Sequence, residues 1–217
     1  MNNNLFIEVI NVFQNRSSDI LLALGQHLQI TLIALFLSVS IAVPVGILLT
    51  RRRNISDLVI GFASVFQTIP SLAILGFMIP FLGIGKVPAI VALTIYGLAP
   101  ILRNTYTGIV EVNPASIEAG VGMGMTSKQV LFMVELPLAL SIIMAGIRTS
   151  TVLIIGVGTI AALIGAGGLG DLLFRGIQTV NPALILAGAI PAAGLALTFD
   201  FLLKKLESYA TPRGLKK

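Results

Sequence analysis

Few side chains in this sequence are equipped for chemistry, and they are scattered. Gly165, Gly167 and Gly170, in the run GAGGLG, satisfy the GxGxxG spacing with which glycines let a backbone approach a dinucleotide pyrophosphate. That chemistry also needs a strand before the glycines, a βαβ helix after them and an acid about 20 residues further on. Here one apolar run precedes the glycines and another follows. The motif is therefore read as a flexible outer turn, either a docking and opening point or simply a turn into a re-entrant helix. A GxxxxGK[ST] phosphate loop is absent, so the chain is not its own ATPase. His27 is the single histidine and there is no cysteine, which leaves metal binding and nucleophilic catalysis without the partners they need. Placed beside Gln26 and Gln29, His27 is expected at the outer membrane interface.

Three charged residues stand inside apolar runs: Arg103, Arg148 and Asp200. Ionisable groups at such positions face a bundle interior and pair. Asp200 is expected to pair with Arg148 or Arg103, as a fixed contact or as a gate that changes partners; the alternative is a side chain reaching out to the headgroups.

The elements that carry these residues follow from composition. Hydrophobic residues make up 56% of the 217 and charged residues 11%, against roughly 25% charged in soluble domains. A soluble fold could not keep that much apolar surface dry, so the ruler is the bilayer, at about 20 apolar residues per helical crossing. Five crossings are expected, at about 28–50, 58–82, 88–110, 138–163 and 183–203. The first ends in Arg51, Arg52 and Arg53. Nine basic residues (those three, Lys128, Lys204, Lys205, Arg213, Lys216 and Lys217) then fall on one side, and three (Arg16, Lys86 and Arg175) on the other. The excess marks the cytoplasmic side, with the N-terminus outside and the C-terminus inside. Residues 1–27 read as an extracytoplasmic interfacial segment, helical over 5–13 or else a frayed tail, 28–207 as the membrane domain, and 208–217 as a cytoplasmic basic tail. The +5 net charge thus reports topology and not nucleic-acid binding.

Residues 111–137 carry Glu111, Glu118, Lys128 and Glu135. That is too much charge for a crossing at about 2.5–3.5 kcal/mol each, so the segment is expected in the cytoplasm as two short surface helices with a glycine turn between them. Pro114 suits a first helical turn, and Thr126 with Gln129 a capping box.

Within that segment, Glu118, Ala119 and Gly120, then three residues, Gly124, nine residues, and Val134, Glu135, Leu136 and Pro137 resemble the EAA loop of bacterial ATP-binding-cassette importer permeases. The spacing holds throughout; Gly120 and Val134 depart mildly from alanine and isoleucine. The runs FQTIPSL (66–72), GLAPILRNTYT (97–107), AGIRTST (145–151) and GAGGLGD (165–171) look like the permeases for glycine betaine, carnitine and choline, over about 27–207. The resemblance implies an all-α type I importer membrane domain, similar to methionine permeases. It implies that the loop at 114–137 couples to a cytoplasmic ATPase dimer through Glu118, Ala119, Gly120, Gly124, Val134, Leu136 and Pro137. ATP and Mg would be bound by that ATPase and no cofactor by this chain. A second permease subunit, identical or homologous, and an extracytoplasmic, lipid-anchored solute-binding protein are implied as well.

A charged quaternary-ammonium cargo wants an aromatic cage, yet the chain has no Trp and three Tyr, which assigns tight recognition to the binding protein. Polar residues within crossings two to four could line a low-affinity path: Gln67, Thr68, Ser71, Thr94, Tyr96, Asn104, Thr105, Thr149 and Thr159. Each could instead bond between helices. A methionine or other small-solute importer is the nearest rival. A secondary transporter is disfavoured, because no repeat is visible and five crossings do not divide into matching halves; a membrane enzyme would need a catalytic cluster.

Overall fold

The computed structural model describes residues 2–210, and the elements it contains are helical. Arg213, Lys216 and Lys217 of the expected basic tail lie outside the described residues. In chain order the helices are α1 (Asn2–Asn15), α2 (Ser17–Arg51), α3 (Arg53–Thr68), α4 (Ser71–Leu82), α5 (Lys86–Val110), α6 (Pro114–Gly122), α7 (Ser127–Val130), α8 (Leu136–Ile160), α9 (Leu169–Gln178) and α10 (Pro182–Ala210). A π-turn at Leu131–Glu135 joins α7 to α8, and a 3-10 turn at Ala161–Ile164 extends α8. Among the described residues four runs are long and apolar enough to cross a membrane: Ser17–Arg51, Lys86–Val110, Ser127–Ile164 and Pro182–Tyr209. The pair α3 and α4 passes the same test only when taken together and is bent by 97°, the geometry of a broken crossing or of a re-entrant loop.

Helix α5 is the centre, with α2 against one side and α8 against the other; α10 covers α8 and α9, and α1 lies on α10. An apolar solvent supplies little hydrophobic drive between helices, so close packing and polar bonds hold them together. The sequence meets this demand with small residues. A Cβ on Gly146 of α8 would stand 2.7 Å from the Cβ of Asn104 and 2.8 Å from the Pro100 carbonyl oxygen of α5. One on Gly46 of α2 would meet Thr105 at 2.8 Å. Hydroxyls bridge the same seams: Ser38 donates to the Thr94 carbonyl (3.0 Å) and Ser150 to the Gly97 carbonyl (2.8 Å).

Three boundaries differ from the sequence reading. Helix α2 begins at Ser17, well before the expected 28, because Ile20 and Ala23 continue its buried face onto Leu169, Leu172, Leu184 and Ala187. The second crossing is not one straight helix. Pro70 disfavours the helical conformation at the residue before it, and Ile69 is extended (φ −75°, ψ 131°). The fourth crossing does not start after Pro137: it belongs to a 38-residue run starting at Ser127, roughly 57 Å long at the α-helical rise. That is nearly twice the hydrocarbon thickness, so the run's first turns extend past the apolar layer without leaving the rod.

Gly146→Ala is expected to lower stability by about 1–3 kcal/mol through overpacking, read as a drop in thermal midpoint in detergent. Gly156→Ala, whose Cβ would meet nothing within 4 Å, is expected to leave the midpoint in place or raise it.

Candidate functional site

At the end of the bundle where α2 stops and α8 starts, α6 and α7 form a knob. Asn113 caps α6, its Oδ1 accepting from the Ala115 amide (3.0 Å), and Pro114 occupies the first turn, where no amide donor is needed. The other end of α6 closes as a Schellman turn: the Met125 amide donates to the Gly120 carbonyl (3.1 Å) and the Gly124 amide to the Val121 carbonyl (2.9 Å). Gly124 has φ +82° there, a conformation that strains an L side chain. The Thr126–Gln129 capping box then opens α7.

Gly120 is buried, and a Cβ on it would lie 3.3 Å from Met125 Sδ and 3.5 Å from Val134 Cγ2. The two positions that depart from the EAA pattern therefore face each other, and glycine lets α6 rest on Val134. Glu118 and Ala119 are exposed, as are Val121, Met123, Phe132 and Met133. The knob thus presents a carboxylate beside an apolar face, the mixture that another protein's groove can cover.

The base of the knob is braced. Pro137 has no amide to continue the α-ladder, and the chain answers with the π-turn, in which the Leu136 amide donates to the Leu131 carbonyl. Glu135 within that turn is 3% exposed and forms an ion pair with Arg51 at the end of α2. Sequence reasoning missed this contact, treating Arg51 as a topology marker and Glu135 as a bar to crossing. An acid directly before Leu136 and Pro137, with arginines ending the neighbouring crossing, was the available signal.

Deeper in the bundle, the expected path residues divide. The Tyr96 hydroxyl donates to the Ile69 carbonyl at the α3–α4 break, and Gln67 Nε2 donates to the Tyr96 carbonyl (3.4 Å). That second carbonyl lacks its helical partner because Pro100 has no amide. Thr94 and Thr105 are buried with Tyr96 and reach no open face, and Asn104 is half-buried with Nδ2 on the Pro100 carbonyl (2.8 Å). Gln67, Thr68 and Thr149 are exposed, while Ser71 and Thr159 are half-buried. The hydroxyls of Thr68, Thr149 and Thr159 bond to carbonyls of their own helices.

Arg148 Nε and Nη2 hold Asp200 in a fork (2.9 and 3.2 Å), and Nη1 reaches Glu207 (3.4 Å). Arg103 takes no part; its Nη2 donates to Ser64 of α3 (3.0 Å). Glu207 was the member that sequence reasoning passed over, though it lies two helical turns after Asp200 on α10. The group opens on a recess of about 530 Å³ shared with Ala145, Thr149, Val152 and Leu153.

At the opposite end the glycine loop is not free-swinging. Gly165, Gly167 and Gly168 all have positive φ. The Gly168 amide donates to Gln26 Oε1 (3.0 Å), and the Gly85 amide to the Ile164 carbonyl (2.8 Å). Gly170 lies against the Thr159 carbonyl with no space for a Cβ. His27, expected at the interface, is fully buried: Gly158 and Gly168 leave its ring room, and Nε2 donates to the Ile155 carbonyl (3.1 Å).

The chain belongs to the family of binding-protein-dependent transport system inner membrane components, matching it over residues 42–211. By that membership it is a membrane-embedded part of a transport system and not an enzyme. It is 51% identical over 209 residues, 96% of each chain, to the carnitine transport permease protein OpuCB of Listeria monocytogenes. It is 50% identical, with the same coverage, to the glycine betaine/carnitine/choline transport system permease protein OpuCB of Bacillus subtilis. The inward-facing MetNI methionine ABC transporter shares the fold, with a TM-score of 0.79 at 24% identity over 91% of this chain and 99% of that one.

Two outcomes follow from the ion pairs. Arg51→Gln leaves the Glu135 carboxylate buried without its counter-ion and is expected to lower stability by on the order of 1–3 kcal/mol. Adding Glu135→Gln should restore part of that loss, which a double-mutant cycle of thermal midpoints measures. Asp200→Asn removes the bidentate charge pair with Arg148; near-normal folding with an altered transport rate would separate a gating role from a structural one.

Proposed function

We propose that this chain is the membrane-spanning permease subunit of an ATP-driven importer for quaternary-ammonium osmoprotectants: glycine betaine, carnitine and choline. The observation that carries this reading is identity near 50% over 96% of the chain to permeases named for those solutes. The reading takes the knob as the ATPase contact, with Glu118, Ala119, Val121 and Met123 presented outward and Gly120, Gly124, Val134, Leu136 and Pro137 building the support. Motion of a partner ATPase dimer would pass through the Ser127–Ile164 run as through a rod, because the knob's second half and the crossing are one helix. The Arg51–Glu135 pair would carry the same motion to α2.

On this reading the arginine end is cytoplasmic, as the nine-to-three distribution of basic residues supports. The glycine-loop end then faces an extracytoplasmic, lipid-anchored binding protein. ATP and Mg are held by the ATPase, a second permease subunit completes the path, and exposed Gln67, Thr68 and Thr149 are the best-placed wall residues. The Arg148–Asp200–Glu207 group sits where a gate near the cytoplasmic mouth would stand. A methionine importer is less well supported, since the likeness to MetNI is one of fold.

Uptake of labelled carnitine, glycine betaine, choline and methionine tests the proposal in cells deprived of their own systems and supplied with this chain, its ATPase and its binding protein. Uptake of the quaternary amines is expected and methionine uptake is not; the reverse would sink the substrate assignment. Glu118→Lys should reduce uptake at least tenfold and weaken copurification of the ATPase while membrane insertion persists.

A further inference from the structure

The turn between α2 and α3 has a single non-helical residue, Arg52 (φ −130°, ψ 62°), so Arg51, Arg52 and Arg53 follow one another at the same end of the bundle. Arg51 is committed to Glu135. Arg52 and Arg53 are exposed and form no ion pair among the described residues; Asp57, one turn beyond Arg53, takes neither of them. Around them is an open recess of about 590 Å³ lined by residues 50–55. Where the same two helices meet α5, about two to three turns deeper, lies an apolar crevice of about 180 Å³ lined by Val45, Val59, Phe62, Ala63, Phe66 and Leu98. Val45 is six residues from Arg51, hence about 9 Å along the axis, and Ile41 at the far end about 15 Å. A cationic recess and a narrow apolar slot thus succeed one another along the same pair of helices, the slot at the depth an acyl chain would occupy.

We propose that the α2–α3 cleft is a binding site for an anionic phospholipid, with its phosphate on Arg52 and Arg53 and one acyl chain in the crevice. Guanidinium forks match phosphate oxygens in two-point hydrogen bonds, and basic pockets beside membrane helices attract anionic headgroups. Phe62 and Phe66 meet edge to face (5.2 Å) and give the slot a firm wall. A free phosphate would use the arginines and leave the apolar slot unfilled, which is why the lipid is the occupant proposed. Asn54, exposed at the mouth, offers an amide to the glycerol or headgroup hydroxyls.

The test uses the permease purified together with its ATPase and exchanged into nanodiscs of mixed phosphatidylglycerol and phosphatidylcholine. Lipid retained after extraction into detergent is counted by mass spectrometry. Wild type is expected to retain phosphatidylglycerol in preference to phosphatidylcholine. Arg52→Gln with Arg53→Gln should lower that retention about tenfold, and Ala63→Leu, which fills the slot and leaves both arginines, should lower it comparably. Equal retention by wild type and both variants would overturn the site. So would displacement of the retained lipid by millimolar inorganic phosphate, which would mark a simple anion site. Loss of the ATPase from the arginine variant with lipid retention unchanged would make the patch a protein contact instead. Should the arginine variant fail to elute as a single species, Ala63→Leu and the phosphate competition on wild type still decide the matter.

Discussion

Distance of approach between α5 and its two neighbours governs this molecule. In water, helices are pushed together by burial of apolar faces; among lipid tails that push nearly vanishes, and only contacts closer than lipid can offer favour association. Gly46, Gly97 and Gly146 permit such contacts along both seams of α5. They also bring Ser38 and Ser150 within reach of carbonyls on that helix. Everything outside the seams, including the α3–α4 bend and the α9–α10 pair, is arranged around this close-packed trio.

The knob acquires its character from the same economy of backbone satisfaction. Gly124 closes α6 so that no carbonyl is stranded, the capping box opens α7, and the π-turn absorbs Pro137 without a break in the rod. Glu135 is tolerated at 3% exposure because Arg51 meets it. A segment that is part surface feature and part membrane helix results, stiff along its length and tied sideways to α2.

The all-helical membrane fold and the two short helices of the knob were legible because they rest on composition and spacing, which bilayer thickness reads directly. Gly124 and the Thr126–Gln129 box were legible for a local reason: a turn type demands its own residues. What could not be read depended on contacts across long stretches of chain. Glu135 looked like a lone charge until Arg51, 84 residues away, came beside it. Buried His27 looked interfacial because the space made by Gly158 and Gly168 has no signature near position 27. The bonds made by Tyr96 and Gln67 were hidden because nothing in a linear pattern says that a helix break at Pro70 and a missing amide at Pro100 leave two carbonyls in need of donors.

That last arrangement binds four positions into one unit of sequence change. The break at Pro70 leaves the extended Ile69 carbonyl outside a helix, Pro100 lacks the amide that the Tyr96 carbonyl would meet, and Tyr96 and Gln67 supply the donors. Loss of either donor strands a backbone oxygen, whereas restoring an amide at position 100 makes the Gln67 bond redundant. Lineages that keep both prolines should therefore keep a hydroxyl at 96 and an amide at 67, and lineages that drop Pro100 are released from the second requirement. The elbow in the second crossing is a set of covarying residues drawn from two helices, and its history should be recorded in pairs.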